Sequence, residues 1–104
     1  MIARLWSAST LPENAAAFEK AVQAEVLPVL NRAKGFLGGQ LLKRDLPNEV
    51  EFVSITWFDS LTSIQIVAGE QFGLPLISEE LQKLLLHFDS RTAFYSIAIE
   101  NMRD

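Results

Sequence analysis

The chain has 104 residues, no cysteine, one histidine and a formal net charge of −4. That length accommodates one domain, residues 1–104. The acidic balance excludes the basic footprint that nucleic acid or an anionic lipid surface requires, and the cysteine and histidine counts exclude disulfide scaffolds, thiol catalysis and His-rich metal clusters.

Residues 2–9 are rich in large apolar side chains and end in Ser-Ala-Ser-Thr, so they predict a first strand. Arg4 lies within this run and not before it, and no small-residue cleavage site follows, so the start does not read as a signal peptide. No apolar stretch approaches the roughly 20 residues of a membrane span, and the expected location is cytoplasmic. A helix then opens at Thr10 or Pro12 with Glu13 in its first turn. Phe18, Ala21, Val22, Val26, Val29 and Leu30 recur at helical spacing and form one apolar face. Pro28 has no N–H for the Ala24 carbonyl and its ring crowds that group, so a kink is expected before the helix ends near Gly35.

Residues 37–44 and 50–58 predict two antiparallel strands joined by the turn Asp45-Leu46-Pro47-Asn48-Glu49. Asp59 or Ser60 caps a short helix through Leu61, Ile64, Val67 and Ala68, with Gly69 at its left-handed end. Ser78, followed by Glu79 and Glu80, starts a last helix carrying Leu81, Leu84 and Leu85. Residues 91–100 close the chain as a fourth strand.

This order, β-α-β-β-α-β, is that of an α+β ferredoxin-like fold: a four-stranded antiparallel sheet with helices on one face. A sheet covered on one side only should alternate apolar and polar residues. Here Phe52 is out of phase with Val53, Ile55 and Trp57, and Phe94 with Tyr95, Ile97 and Ile99, so both faces carry bulk. Soluble monomers rarely leave such a face bare, and the expectation is a homodimer packed sheet against sheet.

Several segments resemble the antibiotic biosynthesis monooxygenase (ABM) superfamily. They are Ile2-Ala3-Arg4-Leu5-Trp6, Pro28 to Gly35, Phe52-Val53-Ser54-Ile55-Thr56-Trp57-Phe58-Asp59-Ser60, the helix end Ala68-Gly69-Glu70 and the aromatic-Tyr95 pair. The resemblance implies a dimeric α+β barrel and a cofactor-independent oxygenase acting with O2 on a small aromatic, quinol or polyketide-like substrate. Many similar sequences carry a histidine after the first-strand tryptophan and another before the last-strand tyrosine; this chain has Ser7 and Phe94 there. Haem-degrading relatives use an Asn on the first strand and a Trp and a His on the helix after the third, which residues 61–73 lack. Haem degradation is therefore not expected, and no cofactor or metal is called for.

Such chemistry needs a base and aromatic walls. His87 is the one imidazole, and it reads either as that base or as a surface cation at the end of the leucine-rich helix. Tyr95 reads as a hydrogen-bond donor to a substrate oxygen or to a nearby carbonyl. Glu25 lies at the edge of the apolar helix stripe, either buried as a base of raised pKa or solvated. Trp6, Trp57, Phe52, Phe72 and Phe94 are candidate walls of a substrate cavity and equally candidate core. Arg4 either holds an anionic ligand or pairs with a carboxylate such as Glu100. The alternative function is a non-catalytic dimer that binds a hydrophobic small molecule in a regulatory or stress role, motivated by Ser7 and Phe94.

Overall fold

The computed structural model describes residues 1–69 and 77–103. The central strand β1 (Ile2–Thr10) is hydrogen-bonded on both edges. On one edge β3 (Val50–Phe58) runs antiparallel along its full length, from Ile2 opposite Phe58 to Thr10 opposite Val50. Strand β2 (Phe36–Asp45) lies outside β3 and pairs with it antiparallel. On the other edge β4 (Leu85–Phe88) pairs with Ala8 to Thr10, and β5 (Ala93–Ser96) pairs with Ile2 to Leu5. The order β2-β3-β1-β4, with β5 also beside β1, is an α+β antiparallel sheet, as the sequence pattern predicts.

Among the described residues the sheet has five strands where the sequence predicts four. Leu85 belongs to β4 and not to the preceding helix, which is the single turn α4 (Glu79–Gln82). Ser78 caps that turn as expected, accepting a hydrogen bond from the Leu81 N–H at 3.1 Å. The helix stops because the edge of β1 offers unpaired backbone groups that residues 85–88 satisfy, a tertiary gain that outweighs leucine's helical preference. The predicted strand 91–100 is regular only over residues 93–96. Ala8 pairs with Phe88 whereas Leu5 pairs with Ala93, so three steps of β1 face five steps of its neighbour and the excess bulges out between β4 and β5.

The first helical run begins with a 3-10 turn at Pro12–Asn14, continues as α1 (Ala15–Ala21), widens into a π turn at Val22–Val26 and ends as α2 (Leu27–Arg32). The predicted irregularity before Pro28 takes this form. Leu27 N–H donates to the Val22 carbonyl, five residues back, which accommodates the donor missing at Pro28 and the crowding by its ring. Phe18 and Leu30 are buried on the predicted apolar face, but Val29 is exposed, because the extra residue in the π turn rotates the last turn away from the sheet. Helix α3 (Leu61–Ala68) starts at Ser60, whose hydroxyl accepts from the Ser63 N–H, and ends at Gly69 with φ of 76°, both as predicted.

Among the described residues, the helical side chains Phe18, Leu30, Ile64 and Leu81 pack against one face of the sheet. On that inner face lie Arg4, Trp6 and Ala8 of β1 opposite Thr56, Ser54 and Phe52 of β3. Two apolar clusters fill the space below the helices. One gathers Trp6, Ala8, Phe18, Phe52 and Leu81; the other gathers Leu30, Phe58 and Ile64, with Phe36 and Phe94 packed against it. The outer face carries Leu5, Val53, Ile55 and Trp57, all partly exposed, and Leu42 and Tyr95, exposed at 46% and 57%.

Candidate functional site

A cavity of about 60 Å³ lies between the inner sheet face and the π turn. Its floor is Arg4, Trp6, Leu41, Ser54 and Thr56; its roof is Phe18, Val22, Val26 and Leu30; and Ile77, Leu81 and Thr92 close one side. A cleft of about 290 Å³ shares Val22, Val26, Leu30, Leu41, Ser54 and Thr56 with it, and opens between the helix and β2 past Glu19 and Gln23. The space exists for a local reason. In the inner phase of β3, Phe52 and Phe58 are bulky but Ser54 and Thr56 between them are small, and Gly39 of β2 lies beside Thr56. The π turn places the short side chains Val22 and Val26 above these positions, as π turns frequently do at functional sites.

Trp6 and Arg4, two of the sequence-predicted site residues, both line this cavity. The Trp6 indole N–H donates to the Asp89 carbonyl at 2.7 Å, and its ring lies 6.0 Å from Phe88. Arg4 is 7% exposed. Burial lowers its guanidinium from its ordinary value to about 10, which leaves it charged at neutral pH. Thr56 Oγ1 donates to the Arg4 carbonyl at 3.4 Å.

The other predicted residues lie elsewhere. Phe52 is core, with its ring centroid 4.7 Å from that of Phe18, and Phe94 packs against the Leu30–Phe58–Ile64 cluster. Trp57 faces outward into a groove of about 430 Å³ with Met1, Leu37, Ile97, Ile99 and Glu100. Glu100 therefore sits on the face away from Arg4. Glu25 is exposed and accepts a hydrogen bond from the Ser78 hydroxyl at 3.3 Å. Tyr95, opposite Ala3, is on the outer face. His87 is in strand β4 and not at a helix end; it is 69% exposed, with Nε2 3.4 Å from a Glu49 carboxylate oxygen. Phe72 lies outside the described residues. Sequence reading missed Ser54, Thr56 and the cavity's helical roof, although two small polar residues in the otherwise bulky phase of Phe52 and Phe58 were a usable signal.

The segment 1–66 matches the family model for antibiotic biosynthesis monooxygenase. The chain belongs to the antibiotic biosynthesis monooxygenase family. Solved structures with the same fold include the monooxygenase from the gene ActVA-Orf6 of Streptomyces coelicolor in complex with nanaomycin D, with a TM-score of 0.72 and 12% identity, over 99% of this chain and 92% of that one. The cofactor-independent oxygenase SnoaB of Streptomyces nogalater has a TM-score of 0.64 and 17% identity, over 99% and 98%. The heme-degrader MhuD of Mycobacterium tuberculosis, with two hemes in its active site, has a TM-score of 0.62 and 18% identity, over 98% and 100%. A search of curated proteins returned no match to this chain. At these identities the structural likeness establishes the fold, and members of this fold carry different chemistries. Among the described residues no histidine lines the cavity, and no helix is long and apolar enough to cross a membrane.

Proposed function

We propose that this ABM-family protein is a cofactor-independent monooxygenase that acts on a small aromatic, quinol-type or polyketide-like substrate. The observation that carries the reading is the cavity under the π turn, which joins apolar walls and the Trp6 ring to a buried cation, in a chain whose family is that of monooxygenases. A flat ligand enters along the cleft beside β2 and lies under Val22 and Val26, where the roof excludes water. A hydroxyaromatic there loses its proton, and the electron-rich anion reduces O2. For an anthrone the balance is one substrate and one O2 giving one anthraquinone and one water, so a single oxygen atom is retained. The chain is proposed to work in the cytoplasm as a homodimer. Its exposed area of 7110 Å² exceeds the roughly 5,800 Å² expected of a compact monomer of this mass, and Leu42, Tyr95 and Trp57 mark the face that a second copy would cover. Membership of an oxygenase family favours this reading over a non-catalytic binding protein.

The test is oxygen uptake and quinone formation with dithranol and a panel of quinols, without added metal or flavin. Turnover is expected in the wild type and its loss in Val26→Trp, which fills the cavity while circular dichroism stays native. Absence of turnover with every substrate overturns the proposal. Native mass spectrometry should show a species at twice 11.6 kDa; a stable monomer removes the homodimer.

A further inference from the structure

The cleft beside β2 runs from Glu19 to Leu30 along the helical run and from Leu41 to Phe36 along the strand. At about 1.5 Å per residue its helical side is roughly 16 Å long. Strand β2 is the outermost of the sheet, so the cleft opens sideways to solvent past the strand's free edge. Its walls are hydrocarbon at Val22, Val26, Leu30 and Leu41. Midway along the strand side, Gly39 contributes no side chain, and a Cβ there would come 2.6 Å from the Ile55 carbonyl oxygen. The opening at that point is therefore built into the backbone, because the close approach of β2 to β3 admits only glycine.

Two polar side chains of the helical run, Glu19 and Gln23, stand one turn apart on the rim of this cleft. Glu19 is engaged. Lys43, in the inward phase of β2 opposite Phe52, places its Nζ 3.1 Å from a Glu19 carboxylate oxygen. The pair spans the cleft from helix to edge strand and neutralises both charges at that end. Both partners are more than a third exposed, so the pair contributes little to stability; its consequence is for what can lie beneath it. Gln23 is exposed, and its amide has no hydrogen-bond partner among the described residues. An amide offers donors and an acceptor together. Gln40, which also borders the cleft, pairs with Ile55 and so has the phase of the outer face.

We infer that Gln23 and the Glu19–Lys43 bridge together select the outer end of the ligand, which carries an uncharged hydrogen-bonding group such as a hydroxyl, a carbonyl or a carboxamide. The inference rests on the proposal that the cavity and cleft hold the substrate, and it deepens that reading by naming the substituent that faces solvent. The aromatic body lies between the hydrocarbon walls, and its outer substituent reaches the Gln23 amide, which can donate to an oxygen or accept from a hydroxyl. A bare hydrocarbon end leaves that amide to water and gains no bond. A carboxylate end meets Glu19, a like charge, while Lys43 is already held by that same residue; specificity here comes as much from the anion refused as from the bond made. The net charge of −4 adds to the refusal.

The test uses three anthraquinones that differ only in one end-ring substituent, hydroxymethyl, methyl or carboxylate, with quenching of tryptophan fluorescence as the measure of binding. In the wild type the hydroxymethyl compound is expected to bind about fivefold more tightly than the methyl compound, the worth of one hydrogen bond, and the carboxylate more weakly than either. Gln23→Leu should remove the advantage of hydroxymethyl over methyl. Glu19→Gln frees Lys43 and should tighten the carboxylate about fivefold or more while leaving the methyl compound unchanged. Equal affinity of the three in the wild type, an advantage that survives Gln23→Leu, or no gain for the carboxylate in Glu19→Gln each overturns the inference and leaves the cleft as an aromatic site. The wild-type comparison stands without either variant, so a variant that does not fold does not shelter the inference. If none of the three quenches, the aromatic-site reading falls and this one falls with it.

Discussion

The indole N–H of Trp6 donates to the carbonyl of Asp89 at 2.7 Å, across 83 residues of chain. Asp89 also donates its own N–H to the Ser7 carbonyl at 2.9 Å and accepts the Ser7 N–H on its carboxylate at 3.0 Å. These three bonds hold the bulge between β4 and β5 against the centre of β1 and fix the Trp6 ring at the cavity floor. Trp6→Phe removes the indole donor, and the expected loss is about 1–2 kcal/mol of stability. Urea denaturation at unchanged m-value is the check; a loss below a few tenths of a kcal/mol would show that the bond does not anchor the bulge.

Phe18 is fully buried, and its ring stacks at a tilt on Phe52. It also forms part of the cavity roof, so truncation enlarges an existing void that cannot collapse. Phe18→Ala is expected to cost about 3–5 kcal/mol, a large share of the roughly 5–15 kcal/mol total of a domain. A midpoint shift equivalent to less than 1 kcal/mol would mean that the helix is not seated on β3 as described.

Gly35 has φ of 91°, and a Cβ built on it meets the Ser63 hydroxyl and an Asp59 carboxylate oxygen. Gly38 has φ of 139°, but a Cβ there meets nothing within 4 Å. Gly35→Ala therefore carries backbone strain and a clash, and is expected to cost about 2–3 kcal/mol, against about 1 kcal/mol for Gly38→Ala. The order of the two melting temperatures checks this; an equal effect would contradict the close approach of residue 35 to α3.

Asp59 accepts hydrogen bonds from the Ser63 and Ser60 hydroxyls, and the bond from Ser63 is the main reason its pKa falls below the usual 3.8. A carboxylate with a lower pKa in the folded state binds fewer protons there than in the unfolded chain, so its contribution is complete above pH 3.8 and disappears as pH falls through the lower folded value. Asp59→Asn should flatten the stability profile below about pH 4 and leave its shape above pH 5 unchanged. An identical acid limb in variant and wild type would remove the assignment.

Much of the architecture was legible from local patterns. Ser60, Ser78 and Gly69 announced their helix ends because capping depends on a few neighbouring atoms, and Pro28 announced an irregular helix because it lacks a donor wherever it sits. The two-faced phase of β3 separated Phe52 from Val53, Ile55 and Trp57 correctly. Of the proposed site, Arg4 and Trp6 were legible as a charge and an indole two residues apart on one strand face. His87 was not legible, because its place depends on Leu85 to Phe88 leaving a helix to pair with β1, and no local preference encodes that edge.

By itself the sequence determined the fold class, the cap and turn positions, the two-sided apolar character of the sheet and the resemblance to the ABM superfamily, all of which depend on residue type and spacing along short stretches. Only the tertiary structure decided which aromatic residues face the cavity, that Trp57 and Tyr95 face away from it, and that the small residues Ser54 and Thr56 meet a π turn carrying Val22 and Val26. A cavity is the volume left between elements distant in the chain. Its location follows from strand register and helix rotation, where one residue gained or lost moves a side chain to another face.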